Sequence, residues 1–220
     1  MYDPPSMSIS FSPTILVFRS REKSQIDELM SEDVIDQIVR HAGMMPDNLR
    51  FDPADIASAL ICESQSCMNN LLLQSEKARI MFASDRLGVI SGIMALVTGW
   101  EELRFPPTML RTDLKLVFLM TALDTTHRSK NKLLIDHDAL SGLTGLLNDI
   151  LSKGKQEKVP IALSDDYIDL ACEALKVLFN SLLVLGEDTE ETNLRLVCQA
   201  INNLLLVATE SVEKREALTT

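Results

Sequence analysis

Thr112-Asp113-Leu114-Lys115-Leu116-Val117-Phe118-Leu119-Met120-Thr121-Ala122-Leu123 is apolar on nearly every side and carries charge only in its first turn. A helix with apolar residues all round is stable only when it is surrounded, so this stretch predicts an interior helix. Its pattern recurs: Leu114-Lys115-Leu116-Val117-Phe118 reads again as Leu175-Lys176-Val177-Leu178-Phe179, 61 residues on (175 − 114). Two interior helices with related sequence predict stacked repeats.

Working outward, helical spacing of apolar positions recurs along the whole chain. Ile26, Leu29, Met30, Val34, Ile35, Ile38, Val39 and Ala42 predict a one-faced helix over 25–42, stopped by Gly43 and followed by a turn at Met44-Met45-Pro46-Asp47. Pro53 opens a second helix reaching Leu73, with Ala57, Leu60, Ile61, Cys67, Met68, Leu71 and Leu72 buried. A short helix covers 76–83. Asp85 is the expected N-cap of the next, which carries Leu87, Ile90, Met94 and Val97 and stops at Gly99. Gly88 and Gly92, one turn apart, would let a neighbouring helix come close. Pro106-Pro107 breaks the chain before the central helix. Asp138 caps a helix with Leu140, Leu143, Leu147, Ile150 and Leu151 in one stripe, and Lys153-Gly154-Lys155-Gln156-Glu157-Lys158 reads as a charged loop closed by Pro160. Ser164-Asp165-Asp166 starts a helix that Gly186 ends, with two acids suited to the N-terminal dipole. A last helix covers 190–209.

Composition supports this reading. Apolar residues make up 46% of the 220, while aromatics at 5% and Gly and Pro at 8 each are sparse for a sandwich or barrel. The fold expected is all-α: an armadillo- or HEAT-like solenoid over residues 15–220, preceded by an irregular, Ser- and Pro-rich segment at 1–14. Helices of about 12 to 20 residues joined by short connections are what such repeats require.

The formal net charge of −11 argues against a nucleic-acid partner, since phosphate binding needs clustered Lys and Arg. Cys62, Cys67, Cys172 and Cys198 form no C-x-x-C pair and fall inside apolar helical patterns, so they read as small reduced core residues of a cytosolic protein. The N-terminal stretch lacks the basic n-region of a signal peptide, and no uncharged apolar run reaches the roughly 18 residues that span a bilayer. A soluble, cytoplasmic chain is expected.

A search for reactive chemistry finds no H-E-x-x-H, G-x-S-x-G, G-x-G-x-x-G or phosphate-binding loop. His41, His127 and His137 lack ligand spacing. Asp165-Asp166 and Glu190-Glu191 are adjacent on a helix and point in different directions, which suits capping rather than paired acid and base. No catalytic residue, metal or cofactor is expected. The function of a solenoid then falls to its concave wall, where Asn70, Phe118, Phe179 and Asn180 take comparable places in three successive units.

Three segments also carry a resemblance. Ser20-Arg21-Glu22-Lys23, the run from Asp113 to Leu123, and Glu173-Ala174-Leu175-Lys176-Val177-Leu178-Phe179-Asn180 resemble the synembryn family, the resistance-to-inhibitors-of-cholinesterase proteins. The similarity extends from about Ile15 to the C-terminus but covers less than half of a typical member, which implies a fragment, a short isoform or an incomplete gene model. The resemblance implies an armadillo/HEAT-type solenoid that binds G-protein α subunits, acts on them as a guanine nucleotide exchange factor, and chaperones them when newly made. It implies no covalent chemistry, and a place in the cytoplasm or, through the partner, at the cell cortex. In the family the C-terminal helix of the α subunit lies in the groove. By motif, Arg21 matches the second arginine of an R-x-x-x-R pair, with Val17 at the first position. Asn70 matches the amide of the first full repeat, Phe118 the aromatic of the second, and Phe179 with Asn180 the third. The alternative from the residues alone is a helical-repeat scaffold that takes another amphipathic helix, without exchange activity.

Overall fold

A computed structural model of the chain describes residues 26, 30–45, 48–49, 59–103, 105–122, 139–156, 164–183, 191, 194–195 and 197–202. Within these the architecture is helical: α1 Glu32–His41, α2 Ala59–Gln74, α3 Glu76–Phe82, α4 Val89–Thr98, α5 Trp100–Leu103, α6 Pro107–Ala122, α7 Ala139–Gln156 and α8 Asp165–Leu182. One two-residue pair, β1 Met44–Met45 and β2 Asn48–Leu49, interrupts them as an antiparallel ladder where the sequence predicts only a turn. A further helical stretch runs over 197–202.

The helices stack in two rows. One row is α2, α6 and α8, with α6 packed between the other two. The other contains α1, which meets β1, then α4, which meets both β1 and α7. Each member of one row packs on a member of the other, α1 on α2, α4 on α6 and α7 on α8. Three helix pairs laid side by side make an all-α solenoid, and one apolar core runs continuously between the rows.

The central stretch behaves as its composition requires. Leu114, Leu116, Val117 and Met120 of α6 are fully buried, and Leu119, Thr121 and Asp113 are nearly so. Only Thr108 and Lys115 are exposed among the helix's described side chains. Pro107 occupies the first helical position, where its missing N–H costs nothing, so the helix starts five residues before the apolar run (112 − 107).

Several boundaries differ from expectation for local reasons. The helix predicted over 25–42 has its N-cap at Ser31, whose Oγ accepts from the Val34 N–H at 3.4 Å, with Glu32 and Asp33 in the first turn and Arg40 and His41 in the last. Asp85 does not cap the next helix. Residues 85–88 form a turn, and Gly88, at φ 61°, is the N-cap of α4. That left-handed conformation is why glycine stands there. Helix α7 runs through Lys153 and Gly154 to Gln156, where the sequence suggests loop, because Lys and Gln are good helix formers and a single Gly is tolerated. Ser164 is the N-cap of α8, but its side chain makes no capping hydrogen bond. Of the cysteines only Cys67 is buried; Cys62, Cys172 and Cys198 are exposed, so three of the four expected core positions are corrected. The predicted segment 1–14, the opening of the second helix before Ala59, and Asp138 lie outside the described residues.

Candidate partner-binding face

Adjacent helices of the α2–α6–α8 row are joined by side-chain bonds at their seams. Between α2 and α6, Gln65 Nε2 donates to Asp113 Oδ1 at 2.6 Å, both buried. Between α6 and α8, Arg111 Nη1 pairs with Asp169 Oδ2 near one end, and Asn180 Nδ2 donates to Thr121 Oγ1 at 2.9 Å near the other. Midway, Lys176 Nζ stands 5.7 Å from the centre of the Phe118 ring. These contacts advance together along both helices, so α6 and α8 run in the same direction.

The face of this row turned away from the second row collects the exposed positions of each helix. On α2 these include Ser66, Leu73 and half-buried Asn70; on α6, Thr108, Lys115 and half-buried Phe118; on α8, Cys172, Lys176, Phe179 and Leu183 just past its end. Phe179 is 61% exposed, which is exceptional for so large an apolar ring, and Leu73 and Leu183 are similarly open. Large apolar groups concentrated on one wall of a helical stack mark a place where something else docks.

Of the expected contact residues, the structure brings Asn70, Phe118 and Phe179 to this row. Phe118 is partly covered: its inner edge packs on the core and its outer side lies beside Lys176. Asn180 is not accessible. It is 5% exposed, and its amide is spent on Thr121. One residue of helix rotates a side chain by about 100°, so neighbouring Phe179 and Asn180 cannot both face the same way. Asn180 therefore fastens α8 to α6 rather than lining the wall. Arg21 lies outside the described residues. Two groups not singled out from sequence complete the wall, Leu183 and Lys176. The first is visible as an apolar residue one turn beyond Phe179 (183 − 179); the second depends on a neighbour 58 residues earlier (176 − 118) and leaves no local sign.

Lys176 is held from behind. Its Nζ lies 2.8 Å from Glu173 Oε1 in an i,i+3 pair. The Glu173 side chain is only 13% exposed, and its Oε2 is buried with no hydrogen-bond partner among the described residues. Burial of a half-satisfied carboxylate costs free energy, and the ammonium beside it offsets part of that. Arg111, Lys115 and Lys176 thus set three cations against the two carboxylates Asp169 and Glu173 on this part of an otherwise acidic chain.

No helix among the described residues is long and apolar enough to cross a membrane, and none of their His, Cys, Asp and Glu side chains form a group that could hold a metal ion. What the face offers is surface for another chain, with apolar anchors and a few cations. The class is thus a helical solenoid built to receive a partner along one row.

The chain belongs to the family described as guanine nucleotide exchange factor synembryn, whose model matches residues 14–220. It is similar to the protein named Chaperone Ric-8A from Macaca fascicularis, 30% identical over 196 residues that cover 86% of this chain and 35% of that one. The Chaperone Ric-8A of Bos taurus is 29% identical over 183 residues, covering 80% and 32%. The Chaperone Ric-8 of Drosophila melanogaster is 30% identical over 131 residues, covering 60% and 21%. The chain therefore spans about a third of the length of the mammalian relatives it matches.

Proposed function

We propose that the exposed face of the α2–α6–α8 row binds the C-terminal helix of a G-protein α subunit, and that the chain serves such subunits as exchange factor and folding chaperone. Family membership and the relatives' names support the class of activity. The observation that carries the binding site is the Phe179 ring, open to solvent on α8 beside Leu183, in the same row as Phe118. An amphipathic helix laid across the row would cover these rings with its own apolar stripe. The helical pairs are read as armadillo/HEAT-like repeats over 15–220, and the working place as the cytoplasm, with the cell cortex reached through the partner.

Exchange needs no reacting group on this chain. A protein that holds the C-terminal helix of its G-protein partner in a position incompatible with a closed nucleotide site favours the nucleotide-free form, in proportion to its differential affinity for the two forms. The same preference makes a chaperone, because a partly folded partner lacking nucleotide is the form held.

Binding of a labelled peptide that copies this C-terminal helix tests the site, with Phe118→Ala and Phe179→Ala combined as the disabling variant. Loss of about 2 kcal/mol or more, some thirtyfold in affinity, is the expected outcome for two aromatic anchors. Undiminished binding removes the face from consideration. Release of labelled GDP from an intact G-protein α chain separates exchange from binding: acceleration supports the full reading, and binding without acceleration leaves a helix-binding scaffold.

A further inference from the structure

The outer side of Phe118 is occupied in the free protein by a cation from the neighbouring helix, and this decides which guests the ring can accept. Lys176 Nζ lies 5.7 Å from the ring centre, within the range of attraction between an ammonium and an aromatic face. It is anchored at 2.8 Å by Glu173 Oε1, yet remains 48% exposed, so part of the ammonium still faces outward. Glu173 cannot release it freely, because Oε2 is already buried without a hydrogen-bond partner among the described residues and the carboxylate would then lose its one counter-charge.

We propose that Lys176, positioned by Glu173, is the specificity-determining residue of this face: it admits a guest helix that places a carboxylate within one turn of the apolar residue resting on Phe118, and disfavours one that places an amide or a cation there. This rests on the partner-binding reading above and adds a rule for choosing among guests. The physical reason is differential desolvation. An apolar guest side chain pressed against Phe118 strips water from the ammonium beside it, which costs free energy unless an anion replaces that water. A guest carboxylate supplies the anion, and Lys115 on the adjacent α6 adds a cation of the same sign at an exposed position. A guest lysine meets repulsion as well as desolvation. Selection therefore works by penalising the wrong guest as much as by rewarding the right one.

The charge of the pair sets an order among variants. Lys176→Met keeps the aliphatic stem and removes the cation. Glu173→Gln keeps the shape and leaves the cation uncompensated. Carboxylate preference should rank Glu173→Gln above the parent chain and the parent above Lys176→Met.

Fluorescence anisotropy on the full chain tests this with one labelled amphipathic helical peptide in three versions, carrying Asp, Asn or Lys one turn from a leucine anchor, on either side of it. The parent chain should prefer Asp over Asn by about fivefold, the size of one partly exposed ion pair, with Lys weaker than Asn. In Lys176→Met that ratio should fall below about twofold, while the Asn peptide binds at least as tightly as to the parent, because no ammonium remains to be desolvated. In Glu173→Gln the ratio should rise. Circular dichroism establishes that each variant is folded. A ratio unchanged by Lys176→Met, or equal binding of all three peptides to the parent, overturns the proposal and leaves the partner-binding reading intact. Failure of the folded parent to bind any of the peptides overturns both.

Discussion

The two rows of the solenoid are held together by different physics. In the α2–α6–α8 row, neighbouring helices are joined by polar side chains: Gln65 to Asp113, Arg111 to Asp169, Asn180 to Thr121. In the other row, α4 and α7 meet through small residues. Gly142 on α7 lies so close to α4 that an added Cβ would stand 3.3 Å from Thr98 Oγ1. An open groove of about 780 Å³ separates the two helices where Ser91, Ala95 and Gly145 are too small to fill it. Directional bonds fix the rotation of a helix about its axis; close packing of small residues fixes distance but leaves rotation freer. The row that must present Phe118 and Phe179 at set angles is the one with directional bonds. A docking wall needs helices that do not roll.

That contrast can be broken at its strongest point, Trp100. It sits between the rows: its Nε1 donates to Asp149 of α7 at 3.1 Å, and its ring meets the edge of Tyr167 of α8 at 6.5 Å between centroids and 76° between planes. Trp100→Ala should destabilise by about 4 kcal/mol in urea unfolding, from lost burial, the cavity left and a stranded carboxylate. The loss should loosen both rows together, so peptide binding and global stability should fall in parallel. Next in size is Asn180→Ala, expected to cost about 2 kcal/mol because the buried Thr121 hydroxyl oxygen loses its donor. A double-mutant cycle with Thr121→Val should show coupling near ~1 kcal/mol. If Asn180 instead served a partner directly, its replacement would weaken binding and leave unfolding unchanged.

The sequence shows the row structure well and the seams poorly. Residues 112–123 announce an interior helix because nothing polar follows Lys115 except Thr121, whose hydroxyl bonds back to the Val117 carbonyl at 2.9 Å. Gly43, Gly99 and Pro106-Pro107 mark real ends because their backbone chemistry is local. Asn180 is misread from sequence because its orientation depends on Thr121, 59 residues earlier. An amide beside an aromatic reads equally well as groove or seam until the phase of the helix against its neighbour is known. The exposed cysteines are the converse case. Cys172 sits in an apolar pattern, but on the turn of α8 that faces outward with Lys176 and Phe179. The Lys176–Phe118 pairing has no sequence signature, since it joins two repeats through a loop of variable length.

Smaller effects sharpen the comparison further. Gly145→Ala on α7 should stabilise the chain by about 0.8 kcal/mol, because alanine outranks glycine as a helix former and nothing lies within 4 Å of the new Cβ. Gly142→Ala gains the same propensity but must move Thr98, whose Oγ1 is tied to the Met94 carbonyl at 3.0 Å; the two terms should nearly cancel. Thermal unfolding of the pair reads the difference directly, and an equal rise at both sites would mean that α4 and α7 do not approach as closely as Gly142 indicates.

Smallest of all should be Arg111→Ala. Its partner Asp169 is about half exposed, as is Arg111 itself, so water and salt already screen the pair, and the loss should stay within about 0.5 kcal/mol. Asn180 and Arg111 thus join the same two helices at opposite ends of one seam with unequal weight, the buried neutral bond outranking the exposed ionic one. Urea midpoints of the two alanine variants at low and high NaCl decide the matter. Asn180→Ala should remain the larger loss at both salt concentrations, and the Arg111→Ala loss should shrink toward zero as salt rises. A reversal of that order would place the strength of the seam in its surface charges, and the wall carrying Phe118 and Phe179 would then be held by interactions that ordinary ionic strength weakens.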